Sequence, residues 1–245
     1  MISIDKLSKA YGAHVALHKL TLEIEAGEIF GFLGHNGAGK TTAIHMLTTL
    51  MKPSSGTARI AGHDIRADPI SVRRAIGYVP ENVRLYDTMT ARENLTFFAR
   101  LSGVGEVQEC IEETLELLKC PELTDRLVGS FSKGQRQRIG LAQAILHRPD
   151  ILFLDEPSSG LDPLGMKTLR ELIVQLNEEL GMTIFMNTHL IGEVVKVATS
   201  IGILSQGQLV FHDTIDAVRH NYGSDANLED LYLSVTPVSQ AVRVA

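Results

Sequence analysis

Long apolar runs and cysteines are both scarce in this chain of 245 residues. No stretch approaches the roughly 20 apolar residues that a membrane-spanning helix needs, so we expect no membrane span. The amino-terminal MISIDKL alternates like a strand and lacks the apolar block of a secretory signal. Cys110 and Cys120 fit neither a metal-binding spacing nor a redox pair. We interpret both as packing residues of a protein in a reducing compartment.

Internal repeats, low-complexity runs and flexible linkers are absent as well. The length is sufficient to bury a real core, although it is long for one domain and short for two. A composition of 44% hydrophobic and 21% charged residues is typical of an ordinary soluble globular protein. The net charge of −6 argues against a surface that binds nucleic acid phosphates by electrostatics alone.

Strand and helix patterns alternate on both sides of a helical stretch. EIFGFL (28–33) and ILFLD (151–155) are near-continuous apolar runs, as expected of strands that are covered on both faces. Before residue 85 the pattern predicts short strands and a single helix, from about Lys40 to Met51. The sequence therefore predicts an α/β sheet core with an inserted helical lobe.

Boundaries follow from the same patterns. We predict one domain over 1–245, with an α/β core formed by 1–84 and 149–212. Residues 85–148 form the helical insert, whose first helix begins with a capping box at Thr90 and Glu93, and 213–245 form a helical tail.

GHNGAGKTT (34–42) matches the phosphate-binding pattern G-x-x-x-x-G-K-[ST]. Glycines let backbone N–H groups curl around a polyphosphate, Lys40 reaches the β- and γ-phosphates, and the Thr41 hydroxyl coordinates Mg²⁺. A glycine-rich turn with a chance lysine is the alternative, but a buried strand precedes the loop and a helix follows it. The predicted nucleotide-binding residues of this loop are Gly34, His35, Asn36, Gly37, Ala38, Gly39, Lys40, Thr41 and Thr42.

ILFLDEP (151–157) supplies the acids that such a site needs. Asp155 ends a hydrophobic strand, where a carboxylate can hold Mg²⁺. Glu156 follows directly and can polarise an attacking water. The alternative, a capping or solvated acid at Glu156, fits poorly with two adjacent acids after four apolar residues. Hydrolysis of the nucleotide is the predicted reaction.

These motifs, in order with FSKGQ (131–135), SSGLD (158–162) and NTHL (187–190), resemble the ATPase subunits of ABC transporters. The resemblance covers essentially residues 1–212. It implies a P-loop NTPase (RecA-like) fold, with a mixed sheet core, an amino-terminal antiparallel β part and an inserted α-helical subdomain. It also implies ATP and Mg²⁺ as cofactors.

FSKGQ stands where the family signature usually reads L-S-G-G-Q. The resemblance implies a head-to-tail homodimer, in which Ser132, Lys133, Gly134 and Gln135 of one subunit meet the ATP held by the P-loop of the other. Lys133 replaces a glycine, and we expect the added charge beside a polyphosphate to be tolerated. An ordinary basic helix face is the alternative, which leaves Ser-x-Gly-Gln at the helix start unexplained.

Four more roles are implied by the resemblance. Tyr11 would stack on adenine, although simple packing is the commoner role of a lone tyrosine. His189 would sense the γ-phosphate and act with Glu156 as a catalytic residue. Asp162 would lie at the dimer interface, with a helix N-cap as its alternative. Glu81 stands where the family usually has glutamine, and it joins Thr41 and Asp155 as a predicted metal ligand.

A separate integral membrane permease is the implied partner, docked on the surface from Glu81 to about Phe98. Leu85, Tyr86 and Met89 suit such a surface, although packing in a small core explains them equally well. The protein would then be cytoplasmic and peripheral on the inner face of the cell membrane. Three segments, GHNGAGKTT, PENV and SKGQRQRIGLAQAIL, resemble the branch that serves the copper site of nitrous oxide reductase, where a periplasmic accessory protein is a further partner.

Two alternatives stay open at this stage. One is the ATPase of a drug or lipid exporter. The other is a soluble ABC protein that acts on DNA or ribosomes, which the single cassette and the acidic balance disfavour.

Overall fold

The computed structural model describes residues 1–222 and 226–235. In these residues ten strands form two sheets. The strands are β1 (Ile2–Tyr11), β2 (His14–Ile24), β3 (Ile29–Leu33), β4 (Ser55–Ile60), β5 (His63–Asp64), β6 (Ile76–Val79), β7 (Ile151–Asp155), β8 (Thr183–Thr188), β9 (Ser200–Ser205) and β10 (Gln208–Thr214). The smaller sheet is antiparallel, in the order β2-β1-β4-β5. The larger sheet has the order β10-β9-β3-β8-β7-β6 and is parallel except for the β9–β10 pair.

Nine helices accompany the sheets within the described ranges. They are α1 (Lys40–Leu47), α2 (Pro69–Ala75), α3 (Ala91–Leu101), α4 (Val107–Leu117), α5 (Lys133–Ile145), α6 (Pro163–Leu180), α7 (Ile191–Val194), α8 (Ile215–Tyr222) and α9 (Ala226–Val235). No helix in this part of the chain is long and apolar enough to cross a bilayer. The helices, the larger mixed sheet and the separate antiparallel sheet together confirm the predicted α/β class.

The parallel sheet is buried on both faces. Every residue of β3, β7 and β8 is buried, which is why these strands are continuous apolar runs in the sequence. One face carries the ring of Phe185, whose centroid lies 5.2 Å from that of Phe30 and 5.4 Å from that of Phe153, in a core shared with the antiparallel sheet and α1. The opposite face packs against the helices between residues 91 and 176. The sheet thus holds its strand ends, where the motifs lie, on a rigid scaffold.

Helix boundaries follow the predicted capping signals in most places. Thr90 and Glu93 form the expected capping box at the start of α3. Asp162 caps α6 and Gly181 ends it in the left-handed conformation, also as predicted. The tail contains α8 and α9, while residues 223–225 and 236–245 of the predicted tail lie outside the described residues.

Two helix predictions before residue 85 were wrong. The region contains a second helix, α2, which Asp68 caps through the Ser71 N–H with Pro69 at its first position. The same Asp-Pro signal was used correctly for α6, but here the segment was too short to show an apolar period. The first helix ends at Leu47 rather than near Met51, because Thr49 adopts a left-handed φ of 61° that a helix cannot continue.

Candidate nucleotide-binding site

The P-loop connects β3 to α1 and passes close to other backbone segments. A Cβ on Gly34 would lie 2.5 Å from the carbonyl oxygen of Leu204, and one on Gly39 would lie 2.4 Å from that of Ala16. Gly39 also has a φ of 105°, a backbone conformation that residues other than glycine rarely adopt. Gly37 has a φ of 84° with open space around it. Glycine at these positions therefore lets the loop backbone pass close to its neighbours and leaves the loop open toward the cleft.

A Gly39→Ala substitution tests that path. We expect it to lower the ATP affinity at least about tenfold and to destabilise the protein by about 2 kcal/mol, because the new methyl group must displace the Ala16 carbonyl in a strained conformation. Isothermal titration calorimetry and urea unfolding measure the two effects. Gly62→Ala is the matched control, because Gly62 also has a positive φ, of 83°, but nothing lies within 4 Å of its Cβ position. Equal effects of the two substitutions would contradict the close approach.

Lys40 opens α1 and points back into the loop. Its ammonium donates hydrogen bonds to the carbonyl oxygens of Gly34, at 2.6 Å, and His35, at 3.3 Å. It also lies 3.7 Å from the Glu156 carboxylate. Burial lowers the pKa of Lys40, and Glu156 and Asp155 oppose that shift. A cation is thus held at the centre of the loop, where a phosphate would need it.

Asp155 ends β7 and is almost fully buried. The Asn187 amide donates a hydrogen bond of 2.5 Å to its Oδ1, and the Thr41 hydroxyl lies 3.4 Å from the same atom. Burial raises the pKa of Asp155, and Asn187 and His45 oppose the rise. Burial and the Asp155 carboxylate together raise the pKa of Tyr78 on the neighbouring strand. Two oxygens of the kind that Mg²⁺ prefers, from Thr41 and Asp155, therefore meet at the end of β7.

Glu156 adopts a left-handed backbone conformation, with a φ of 47°. Its N–H donates to the Asn187 carbonyl at 2.9 Å, and its Oε2 accepts from the Thr188 hydroxyl at 3.1 Å. Nδ1 of His189 lies 2.8 Å from the same Oε2. The backbone conformation aims the carboxylate toward the P-loop, and such strain is characteristic of functional positions. Glu156 and His189, predicted as a catalytic pair from separate motifs, are brought into contact.

A cleft of about 440 Å³ joins most of these groups, a volume suited to a small ligand. Its lining residues are Tyr11, His14, Ala16, Asn36, Gly37, Gly39, Lys40, Thr41, Thr42, Glu81, Glu156 and His189. Tyr11 is 46% exposed at the cleft, its hydroxyl donates to the Met51 sulfur at 2.9 Å, and the Lys9 ammonium lies 5.3 Å from its ring. Its ring is therefore accessible to a base, and stacking on adenine stays a prediction.

Three P-loop residues, Gly34, His35 and Ala38, are not among the residues that line the cleft. Ala38 is buried, and its carbonyl oxygen accepts from the Gly207 N–H at 2.9 Å. His35 is exposed, with its Nδ1 2.8 Å from the carbonyl oxygen of Asn36. The Ala38 N–H also donates to the His35 carbonyl oxygen, so both residues shape the loop through their backbone.

The signature residues 131–135 occupy a different place. Ser132 caps α5 in a capping box with Gln135, at 3.3 Å and 3.0 Å. Ser132, Gly134 and Gln135 line a groove of about 280 Å³ together with Asp162, and none of them is among the residues that line the nucleotide cleft. In one chain, the two predicted phosphate-binding helix starts are therefore separate.

Asp162, Glu81 and Lys133 have contacts within the chain. Asp162 accepts from the Gly165 N–H at 2.7 Å, which confirms its N-cap role and leaves the interface role a prediction. Glu81 accepts from the Ser159 hydroxyl at 3.1 Å, and its role as a metal ligand stays a prediction. The Lys133 side chain lies over Gly160.

Sequence reasoning missed Asn187 and Tyr78 as neighbours of Asp155. Asn187 lies within the quoted NTHL motif, but only the strand order makes it the register partner of Asp155 across β7 and β8. Tyr78 lies on β6, on the other side of β7. No local pattern signals either contact.

A protein-family model described as ABC transporter matches residues 17–159, more than half of the chain. The chain belongs to the ABC transporter ATP-binding family. Its predicted P-loop NTPase fold and its activity, ATP hydrolysis, follow from that membership.

Known relatives cover most of the chain. It is 41% identical over 210 residues to the bacitracin transport ATP-binding protein BcrA of Bacillus licheniformis, which covers 86% of this chain and 68% of that protein. It is 34% identical over 247 residues to the linearmycin resistance ATP-binding protein LnrL of Bacillus subtilis (strain 168), covering 100% and 78%. The dimeric post-hydrolysis structure of the ATP-binding cassette MJ0796, bound to ADP and Pi, superimposes with a TM-score of 0.80 at 26% identity, covering 88% of this chain and 99% of that one.

Proposed function

We propose that this ABC protein is the ATPase subunit of an exporter, that two copies of it close around two ATP molecules, and that this closure drives a separate membrane permease. The separation of the two helix starts carries the proposal. The P-loop residues line the cleft, while Ser132 and Gly134 line another groove beside Asp162. A second copy, placed head to tail, would bring its signature to the ATP of the first. The dimeric structure of the MJ0796 cassette supports the pairing of two copies.

Within one subunit, the P-loop and Lys40 would hold the phosphates. Loop N–H groups and the start of α1 favour negative charge, and the Lys40 ammonium is already centred in the loop. Thr41 and Asp155 would hold Mg²⁺, since their oxygens lie 3.4 Å apart and match its ligand preference. The metal ion would neutralise charge on the phosphate oxygens. Glu81 is the third proposed ligand, through the carboxylate oxygen that does not accept from Ser159.

Glu156 would act as the base in hydrolysis. A water positioned by Oε2 and His189 would attack the γ-phosphorus as its bond to the β-phosphate oxygen breaks, so that ADP leaves and the water's proton passes to the Glu156 carboxylate. The Lys40 ammonium lies 3.7 Å from the other carboxylate oxygen of Glu156. Glu156, the proposed base, and Lys40, the proposed phosphate-binding cation, therefore lie next to each other.

The signature would complete the site from the partner subunit. Ser132, Lys133, Gly134 and Gln135 lie at the start of α5, whose N-terminal partial charge favours the γ-phosphate. Loss of that phosphate after hydrolysis would weaken the contact and open the pair. Asp162, beside the same groove, would lie at this interface.

An exposed aromatic cluster is the proposed permease surface. Tyr86, Phe97 and Phe98 have ring centroids 5.2–6.2 Å apart, and Tyr86 and Phe97 are nearly half exposed. An exposed cluster of apolar side chains of this kind is typical of a surface that binds another protein. Leu85 and Met89 are only half-exposed, and Leu85 packs on the helical core, so the packing alternative applies to Leu85.

Antibiotic or lipid-like compounds are the cargo class that we propose first. The relatives named for bacitracin transport and linearmycin resistance support it. A second candidate rests on the motifs GHNGAGKTT, PENV and SKGQRQRIGLAQAIL, which resemble NosF, the ATPase that serves copper-site assembly of nitrous oxide reductase with a permease and a periplasmic protein. In both cases the subunit would lie on the cytoplasmic face of the membrane, and action on DNA or ribosomes is disfavoured by the net charge of −6.

Purification of the tagged subunit from its native membranes tests the proposal. We expect one integral membrane protein to copurify in near-equal amount. Phe97→Asp should reduce its recovery at least about tenfold, because a charge in an apolar contact is costly. Leu50→Asp, at an exposed apolar residue outside the aromatic cluster, is the matched control. Copurification of nucleic acid or ribosomal proteins instead would contradict the transport function, and an additional periplasmic copper-site protein would select the second candidate.

A further inference from the structure

Glu81 contacts the chain segment that follows the catalytic acid. Its carboxylate accepts a hydrogen bond of 3.1 Å from the Ser159 hydroxyl, across 78 positions of sequence. Glu81 lines the nucleotide cleft, and it also lines a second cavity, of about 470 Å³, on the other side. Glu81 therefore borders both the nucleotide cleft and this second cavity.

Lys133 contacts the next residue of the same segment. A Cβ on Gly160 would lie 2.7 Å from the Lys133 Nζ, with the Cδ and Cε carbons at 3.3 and 3.4 Å. The aliphatic stem therefore lies directly on the glycine, whose φ of 66° shapes the turn. Lys133 lines the same second cavity as Glu81.

The turn between these two side chains is tied to Glu156. The Ser159 N–H donates to the Glu156 carbonyl at 3.0 Å, and the Leu161 N–H donates to the Ser158 carbonyl at 3.2 Å. Because Glu156 itself has a strained left-handed backbone, its orientation depends on what holds the residues after it. A displacement of the Ser159–Gly160 turn would reach Glu156 through one hydrogen bond.

We propose that Glu81 and Lys133 act together as positioning residues that clamp the Ser159–Gly160 turn and thereby link the signature helix to Glu156 within one subunit. Two features support a joint role. The charges are opposite and border one cavity, and the sequence analysis singled out both residues as departures from the usual family pattern. A clamp of this kind accounts for both departures at once. The trans role of Lys133 toward the partner's ATP, by contrast, requires no relation to Glu81.

A double-mutant cycle separates these roles. Glu81→Gln, Lys133→Met and the double variant are compared for kcat and KM in ATP hydrolysis. We expect each single substitution to lower kcat several-fold with the larger part of the effect in kcat rather than KM. The double variant should be about two- to fivefold more active than the product of the single effects predicts, since both substitutions release the same turn and its position is lost only once. Lys167→Met, on the exposed face of α6, is the control for removal of a lysine charge. Multiplicative effects would overturn the clamp and favour independent roles.

Hydrogen exchange supplies a readout without turnover. In the nucleotide-free chain, peptides that cover residues 157–163 should exchange at least about threefold faster in Lys133→Met than in the wild type, whereas Lys133→Arg, which keeps the charge, should stay closer to the wild type. Unchanged exchange in Lys133→Met would overturn the proposal. This measurement needs neither ATP nor a partner subunit, so it can fail while the head-to-tail dimer stands, and the reverse also holds.

Discussion

Glu156→Gln is expected to lower the rate of ATP hydrolysis by about 10²–10⁴-fold while ATP binding is retained, because the amide keeps the shape of the side chain and cannot accept the proton of the attacking water. The contacts of Glu156 explain why the loss should be confined to chemistry. Its Oε2 lies 2.8 Å from His189 and accepts from Thr188, and an amide oxygen can preserve either contact. The charge lost beside Lys40 should, if anything, favour the anionic phosphates.

A trapped dimer is the second part of this expectation. With ATP bound and not hydrolysed, the γ-phosphate stays between the P-loop and the partner's signature, so size-exclusion chromatography with ATP should show dimers that the wild type forms only transiently. Glu178→Gln, at an exposed glutamate of α6, is the control for loss of a carboxylate charge. Hydrolysis at the wild-type rate in Glu156→Gln would remove this residue from the mechanism.

Ser132→Arg is expected to reduce turnover at least about 100-fold while the ATP affinity of the monomer changes less than about twofold. The reason is the separation of the two sites. Ser132 is exposed at the start of α5, outside the cleft that holds the P-loop, so a bulky cation there obstructs a partner's nucleotide and leaves its own site intact. Loss of monomer binding would instead mean that the signature serves the ATP of its own subunit.

Two controls isolate the effect of Ser132→Arg. Loss of the N-cap alone costs about 1 kcal/mol, and Thr90→Ala removes the equivalent capping box from α3, away from the proposed interface. Its turnover should remain close to the wild-type value. In a second control, Ser132→Arg is mixed with Lys40→Ala. Each mixed dimer then retains one complete site, so activity should return, although either variant alone is inactive. A mixture that stays inactive would contradict the shared site.

The local signals of the sequence were sufficient for the motifs and for most of the helix ends. Thr90 with Glu93, and Asp162 with Pro163, specify helix starts by hydrogen bonds that span three residues, and both occur as predicted. The missed α2 has the same kind of start at Asp68, but a helix of seven residues is too short for an apolar period to stand out. The predicted end of α1 was wrong because the left-handed conformation of Thr49 has no composition signal.

The candidate site divides in the same way. The P-loop is one contiguous segment, and Asp155 and Glu156 are adjacent in the chain. Their residue types and spacing therefore identify them from the sequence alone, and the α/β class was predicted from the sequence as well. Only the tertiary structure decided that Asn187 meets Asp155, that His189 meets Glu156, and that Glu81 and Lys133 hold one turn. The physical reason is strand order. Side chains 32 to 78 positions apart come within hydrogen-bonding distance only because β6, β7 and β8 lie side by side, and that order is set by burial of the whole sheet rather than by any local pattern.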